Sequence, residues 1–184
     1  MNIIKTDIDG LLVIEPKVFG DARGYFMEVF SERDFRAATG LDVHFVQDNE
    51  SMSARGVLRG MHFQKAPYAQ SKLVRVVRGS VQDVAVDLRA GSPTFGKYVS
   101  AVLSGDNKRM FYIPEGFAHG FLTLEDNTVF QYKCGMFYEP SSEGSVRWDD
   151  PQIGVDWMSV DGCERIISEK DSMAPLLSEQ PYRF

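Results

Sequence analysis

The chain has 184 residues, of which 43% are hydrophobic and 25% charged, and its formal net charge is −6. This composition is typical of a globular protein with a sizeable apolar core, and the length predicts a single domain over residues 1–184. The acidic balance argues against nucleic acid as a partner, because contacts to a phosphate backbone need a basic surface.

The first forty residues predict short extended segments followed by one helix. Residues 3–30 alternate apolar and polar patches, and 21–28 contain a turn and then an aromatic, β-prone stretch. A helix is expected over 31–39, because Ser31 can cap its N-terminus, Asp34 occupies the acidic position of a capping box and Gly40 can end it.

The middle of the chain predicts antiparallel strands. Short β-branched or aromatic runs, separated by turn-forming residues, occupy 72–77, 81–88, 97–103, 108–113, 117–124 and 128–134. No helical periodicity links them, so a sandwich or barrel is expected instead of parallel winding. The tail after Trp148 is less regular, and a short final helix is expected to begin at Ser168.

No apolar run in the sequence is long enough to span a bilayer, and the first residues lack the apolar segment of a signal peptide. Cys134 and Cys163 are too few and too isolated to predict a disulfide framework or a metal cluster. We therefore expect a cytoplasmic protein that has no membrane segment.

Residues 47–64, QDNESMSARGVLRGMHFQ, combine polar side chains, glycines, arginines and a histidine. Arg59 and His62 lie on either side of Gly60, and a fixed cation beside a titratable imidazole suits an anionic ligand and proton transfer. On a regular strand Arg59 and His62 would face opposite sides. We therefore predict an irregularity near Gly60 that lets both reach one pocket.

The motifs of several reaction types are missing. The three histidines, His44, His62 and His119, are scattered and predict no metal site, which disfavours a metal-dependent enzyme. The sequence has neither a nucleophile elbow nor a glycine-rich phosphate loop. Acid–base chemistry remains, and His62 is the residue whose ordinary pKa suits a base.

Two further side chains fit this chemistry. Lys72 opens a strand whose alternate residues are apolar, so its ammonium could stabilise negative charge on a substrate oxygen. Tyr132 alternates with Phe130 and Cys134, which predicts an inward face and suits an acid. Each also has an ordinary explanation, since buried tyrosine hydroxyls usually satisfy a hydrogen bond and lysines at strand edges usually reach solvent.

The segment Q-x-N…L-R-G-x-H-x-Q resembles a signature of the dTDP-4-dehydrorhamnose 3,5-epimerases. Similar segments occur in the order of that family along nearly the whole chain: DARGYFME at 21–28, SKLVRV at 71–76, IPEGFAHGF at 113–121, QYK at 131–133, YEP at 138–140 with Glu143, SEKD at 168–171, and Pro175-Leu176.

The resemblance implies an all-β fold, a cupin-type jelly-roll barrel with a few short peripheral helices. It implies a cofactor-independent isomerase that converts dTDP-4-dehydro-6-deoxy-D-glucose to dTDP-4-dehydro-L-rhamnose by proton abstraction and re-addition at C3 and C5. In that reaction His62 would be the base, Asp171 would orient it, Lys72 would stabilise the enolate and Tyr132 would be the acid.

The resemblance also implies the residues that contact the dTDP-linked 4-keto-6-deoxy sugar, and no metal. These are Arg23, Phe26, Glu28, Gln47, Asn49, Arg59, Lys72, His119, Tyr138, Glu143 and Lys170. Cationic side chains would meet the diphosphate, His119 would donate to phosphate, and Tyr138 would stack on thymine. The family is usually homodimeric, and Arg23, Phe26 and Glu28 are expected to complete the partner's pocket.

Two alternatives stay open. A relative that epimerises only one carbon of a related dTDP-keto-sugar would share the same residues. A non-catalytic jelly roll that binds nucleotide-sugars would keep the cations and Tyr138 but would need neither His62 nor Tyr132.

Overall fold

The computed structural model describes residues 1–160, 162–182 and 184, and two antiparallel sheets form its body. In spatial order, the first sheet contains β1 (Asn2–Lys5), β2 (Leu12–Glu15), β10 (Met110–Ile113), β7 (Lys72–Arg78), β12 (Thr128–Cys134) and β5 (Gln47–Ser53). The second contains β13 (Glu143–Ser145), β6 (Val57–Gln64), β11 (Phe117–Thr123), β8 (Ser80–Asp87) and β9 (Tyr98–Ser104).

Smaller elements surround the two sheets. A short strand, β14 (Ile166–Ile167), pairs in parallel with β6, and β3 (Val18–Asp21) forms a separate hairpin with β4 (Gly24–Met27). The helices are α1 (Glu32–Thr39), α2 (Glu169–Ser172) and a 3-10 turn (Pro140–Ser142). This is the predicted all-β architecture with a few short peripheral helices.

The burial of β8 explains its long apolar run. All eight of its residues are buried, because the strand lies between two cores. On one face, Val81 and Ala85 pack between the two sheets. On the other face, Val84 and Val86 lie beneath C-terminal residues that include Trp157. Each large apolar side chain buried in this way contributes about 1.5–3 kcal/mol to folding.

Helix α1 begins and ends where the sequence predicts. The hydroxyl of Ser31 accepts a hydrogen bond from the amide of Asp34, and Gly40 ends the helix with a left-handed φ of 74°. Phe35 is the buried residue of the helix, and its ring packs against Tyr112 of the first sheet. The predicted final helix is also present at Ser168, which caps the single turn of α2.

The predicted strands agree with the observed ones to within one or two residues. The largest difference is at β10, which was expected from residue 108 and begins at Met110. Lys108 has a φ of 57°, outside the range of a strand, and it follows a turn that the Asn107 side chain closes by accepting from the Ser104 amide. No helix among the described residues has the length and hydropathy needed to cross a bilayer.

Candidate active site

A bulge in β6 brings Arg59 and His62 to the same side of the second sheet. His62 is the Cα partner of His119, whereas Arg59 is the partner of Phe121, so β6 contains one more residue than β11 over this stretch. Gly60, at the bulge, has a φ of 129°. The predicted irregularity near Gly60 is therefore confirmed, and it places both side chains on one cavity.

This cavity has a volume of about 550 Å³ and lies among strands of both sheets and the start of α2. It brings together seven residues singled out in the sequence: Arg59, His62, Lys72, His119, Tyr132, Lys170 and Asp171. A second cavity of about 320 Å³ shares His62, Lys72 and Tyr132 with it. The second cavity adds four further residues of the predicted set: Gln47, Asn49, Tyr138 and Glu143.

The His62 imidazole is held by a buried carboxylate. Its Nε2 lies 2.7 Å from Oδ1 of Asp171, whose other oxygen accepts from the backbone amide of Gly60 at 3.3 Å. Ser168 fixes the backbone of Asp171 by accepting from its amide. Burial raises the pKa of Asp171, but the His62 contacts and the Gly60 hydrogen bond outweigh it and the net pKa is lowered. Asp171 is thus an anion that can accept the Nε2 proton, and in a neutral ring this arrangement leaves the lone pair on Nδ1 of His62.

Lys72 and Tyr132 line the same cavity as His62. Among the described residues, none is within hydrogen-bond or ion-pair distance of the Lys72 ammonium. Burial lowers the pKa of Lys72, although the charges of Cys134, Asp83 and Glu143 oppose the shift. Burial also raises the pKa of Tyr132, which keeps its phenol protonated at neutral pH.

A second imidazole–carboxylate pair lies beside the cavity, which its histidine lines, and the sequence analysis missed the carboxylate. His119 Nε2 lies 3.0 Å from each carboxylate oxygen of Asp83, and both residues are buried. Asp83 sits in the predicted strand 81–88 and shares a face with Val81 and Ala85. A carboxylate on an otherwise apolar strand face is the signal that could have identified it, because a buried charge needs a partner.

Polar and aromatic side chains meet at the opening of the second cavity. Lys170 pairs with Glu143 at 2.6 Å, and the Tyr138 hydroxyl donates weakly to the same carboxylate at 3.5 Å. Gln47 accepts from the Tyr138 amide and donates to Asn49, which ties β5 to this opening. Tyr138 is 53% exposed, so part of its surface is open to a planar ligand.

The three N-terminal residues of the predicted set lie elsewhere in the same chain. Arg23 belongs to the turn of the β3–β4 hairpin and pairs with Asp21 at 2.6 Å. Phe26, on β4, is 69% exposed, and Glu28 follows the hairpin on the surface. None of these three is among the described residues that line the cavity of His62.

Comparison with known proteins identifies the family. A sequence profile of dTDP-4-dehydrorhamnose 3,5-epimerase matches residues 5–179. The chain belongs to the dTDP-4-dehydrorhamnose 3,5-epimerase family. One relative of that name, from Methanothermobacter thermautotrophicus, is 54% identical over 180 residues, which cover 98% of this chain and 96% of the relative.

Solved structures of the family support the same fold. A dTDP-6-deoxy-D-glucose-3,5-epimerase from Legionella pneumophila, in complex with dTDP-4-keto-L-rhamnose, is 50% identical with a TM-score of 0.93, covering 97% of this chain and 93% of that one. A 3′-monoepimerase from Streptomyces bikiniensis, in complex with dTDP-quinovose, is 37% identical with a TM-score of 0.88, covering 94% and 86%. The predicted cupin-type jelly roll is confirmed.

Proposed function

We propose that this protein is an isomerase that converts dTDP-4-dehydro-6-deoxy-D-glucose to dTDP-4-dehydro-L-rhamnose by inverting C3 and C5. The observation that carries the proposal is that His62, Lys72 and Tyr132 line one cavity in a chain of this family. Inversion of a carbon next to a ketone requires a base to remove its proton, a cation to stabilise the enolate oxygen and an acid to return a proton. The imidazole, the ammonium and the phenol around this cavity can supply these three functions. No redox cofactor is needed, because the C4 ketone already makes the neighbouring hydrogens acidic.

The reaction uses the same three side chains at each carbon. Nδ1 of His62 removes the proton from the carbon, and the electrons of that bond move to the C4 oxygen to give an enolate. The Lys72 ammonium stabilises the negative oxygen. The Tyr132 hydroxyl then returns a proton to the opposite face of the carbon, which inverts it, and Asp171 keeps the His62 ring oriented throughout.

The opening of the site fits the nucleotide. Arg59 and Lys170 supply positive charge for the diphosphate, and the exposed ring of Tyr138 supplies a stacking surface for thymine. Gln47, Asn49 and Glu143 supply hydrogen-bonding groups beside it. We place this reaction in the cytoplasm.

A homodimer would complete the site. Phe19, Tyr25 and Phe26 expose apolar surface on one hairpin, which suits contact with a second copy. We propose that Arg23, Phe26 and Glu28 reach the partner's cavity. Mixed dimers of Arg23→Ala and His62→Ala subunits should then recover activity that neither variant has alone, because one of the two sites regains both residues. Failure to recover activity, with mixed dimers present, would contradict the crossing.

One experiment separates this function from its alternatives. The keto-sugar is incubated with the protein in D₂O, and NMR follows the isotope and the configuration of each carbon. The proposed function requires deuterium at both C3 and C5 and an L-rhamno product. Deuterium at one carbon alone would indicate a monoepimerase, the activity named for the Streptomyces relative. No exchange at either carbon would indicate a binding protein.

The role of Lys72 predicts a pH dependence. Burial lowers the pKa of its ammonium, so the enolate-stabilising charge is lost as pH rises, earlier than for an exposed lysine. We expect kcat to fall on the alkaline side, and Lys72→Arg to move that fall to higher pH because a guanidinium stays charged. Lys72→Met should lower kcat by about 10²–10³ at the pH where the wild type is most active, and should remove the alkaline fall. An alkaline limb that Lys72→Arg leaves in place would contradict this assignment.

A further inference from the structure

We propose that Asp83 is a positioning residue: it holds the His119 ring so that Nδ1 accepts a hydrogen bond from a hydroxyl group of the substrate's sugar. The inference rests on the proposed function, because it assigns one contact within the same cavity. It replaces the sequence-based hypothesis that His119 donates to phosphate.

The contact between the two residues fixes which ring nitrogen carries the proton. Nε2 of His119 is equidistant, at 3.0 Å, from both oxygens of Asp83. A protonated carboxyl would present its hydroxyl through one oxygen, whereas a carboxylate can share one N–H between both. The symmetric geometry therefore indicates a carboxylate that accepts from Nε2, which leaves the lone pair of a neutral ring on Nδ1.

The surroundings keep the His119 ring neutral. Burial lowers the pKa of His119; the charge and hydrogen bond of Asp83 oppose this shift without reversing it, and the positive charge of Lys72 adds to it. Burial raises the pKa of Asp83, and the contacts with His119 and the charge of Lys72 oppose that rise. With the symmetric contact of Nε2 to both oxygens of Asp83, this favours a neutral imidazole beside a carboxylate.

The free nitrogen is open to the cavity. Nδ1 of His119 makes no hydrogen bond to a described residue. It is nevertheless not a fully buried polar atom without a partner, since among the described residues Oγ1 of Thr123 is the atom of that kind. Nδ1 is therefore accessible, and the space that His119 lines is the 550 Å³ cavity. A ligand group in that position would meet a hydrogen-bond acceptor.

An acceptor at this point selects among the groups of the substrate. The oxygens of an ionised diphosphate accept hydrogen bonds and do not donate them, so they would meet the Nδ1 lone pair unfavourably. A sugar hydroxyl can donate. On a 4-keto-6-deoxy sugar joined to dTDP at C1, C2 and C3 carry the remaining hydroxyls, so one of these is the group recognised.

His62 and His119 differ in exposure, and this difference separates their roles. The two residues face each other across β6 and β11, and each has a carboxylate on Nε2. The His62 side chain is 32% exposed, whereas that of His119 is 8% exposed. A charged imidazolium at His119 would be costly in so buried a position. We therefore assign substrate binding to His119 and proton transfer to His62.

The first test reads the tautomer directly in the wild-type protein. With three histidines in the chain, ¹⁵N side-chain signals can be assigned by comparison with His44→Asn and His119→Asn. We expect His119 to be protonated on Nε2 and unprotonated on Nδ1 at neutral pH. A proton on Nδ1 would overturn the inference, and this measurement does not depend on any variant of Asp83 folding.

The second test compares two ligands in Asp83→Asn. The amide can donate to Nε2 and force the proton onto Nδ1, as replacing the orienting aspartate does in serine proteases. We expect the Kd of dTDP-quinovose to rise about tenfold, the loss of roughly 1.4 kcal/mol, while that of dTDP stays within about twofold. Asp48→Asn, which removes an exposed carboxylate paired with Lys133, should change neither constant.

The outcomes separate the two proposals. Equal weakening of dTDP and dTDP-quinovose in Asp83→Asn would point to a phosphate contact or a general structural defect, and unchanged affinity for both would remove Asp83 from recognition. Either result overturns this inference and leaves the proposed function standing. If the wild-type protein exchanged no substrate proton in D₂O, the proposed function would be contradicted instead, whatever the tautomer of His119.

Discussion

Replacing His62 with asparagine should lower kcat by about 10³ and abolish deuterium exchange at both C3 and C5, because a positioned general base contributes 10²–10⁴ to proton transfer. Asparagine keeps a polar side chain next to Asp171 but has no atom basic enough to remove a carbon-bound proton. The Kd of dTDP should stay within about twofold, since the nucleotide contacts proposed for Tyr138 and the cations are unchanged. Steady-state kinetics, isotope exchange by NMR and calorimetric titration with dTDP check these three results.

His44→Asn is the matched control for this variant. His44 is 70% exposed, pairs with Glu32 at 2.7 Å and lies outside the cavity, so its replacement should leave kcat unchanged. The decisive observation is the exchange itself. If His62→Asn still washed deuterium into C3 or C5, another base would be acting, and the His119–Asp83 pair would be the first candidate.

Loss of exchange in His62→Asn would also distinguish the two proton-transfer partners. Tyr132→Phe removes only the acid, so His62 can still take a proton and return it to the same face. That variant should therefore exchange deuterium without inversion. We therefore expect exchange without a new product in Tyr132→Phe, and neither exchange nor product in His62→Asn. A merely structural role for either residue would not give this difference.

The strands were predictable because their chemistry is local. Short runs such as 128–134 alternate apolar inward residues with polar outward ones, and Tyr132 shares the inward face with Phe130 as expected. Ser31 and Gly40 marked the ends of α1 for the same reason, since caps depend on residues three or four apart. The bulge at Gly60 was predicted because Arg59 and His62 would face opposite sides of a regular strand, whereas a shared function needs both on one side.

Other features depend on contacts far apart in sequence and were less accessible. The sequence could mark Asp83 as an unusual buried carboxylate, but its pairing with His119, 36 residues away, is visible only when β8 and β11 are seen side by side. The Asp171 contact to His62, across 109 residues, came from family resemblance and from no local pattern. The sequence analysis assigned three N-terminal residues to the partner's pocket: Arg23, Phe26 and Glu28. They do not line the cavity of their own chain, and the mixed-dimer experiment tests their role.

The close crossing of β6 and β11 makes Gly120→Ala a disruptive small substitution in the site. A Cβ on Gly120 would lie 2.6 Å from Sδ of Met61 and 2.7 Å from the carbonyl oxygen of Arg59. The second of these is backbone, so the bulge that orients Arg59 and His62 must move to make room. Overpacking of this kind costs about 1–3 kcal/mol of stability. A displacement of about 1 Å at the base would lower kcat by about 10² in the molecules that fold.

Gly105→Ala provides a control with an equal steric conflict in another place. A Cβ there would lie 2.7 Å from the carbonyl oxygen of Val77, at the end of β7 opposite Lys72. Chemical denaturation should show both variants destabilised, because each pushes against backbone. Activity per folded molecule should fall only for Gly120→Ala, since Gly105 does not line the cavity. Equal specific activity in the two variants would mean that the bulge does not set the position of His62, because a shifted β6 backbone would then be catalytically harmless.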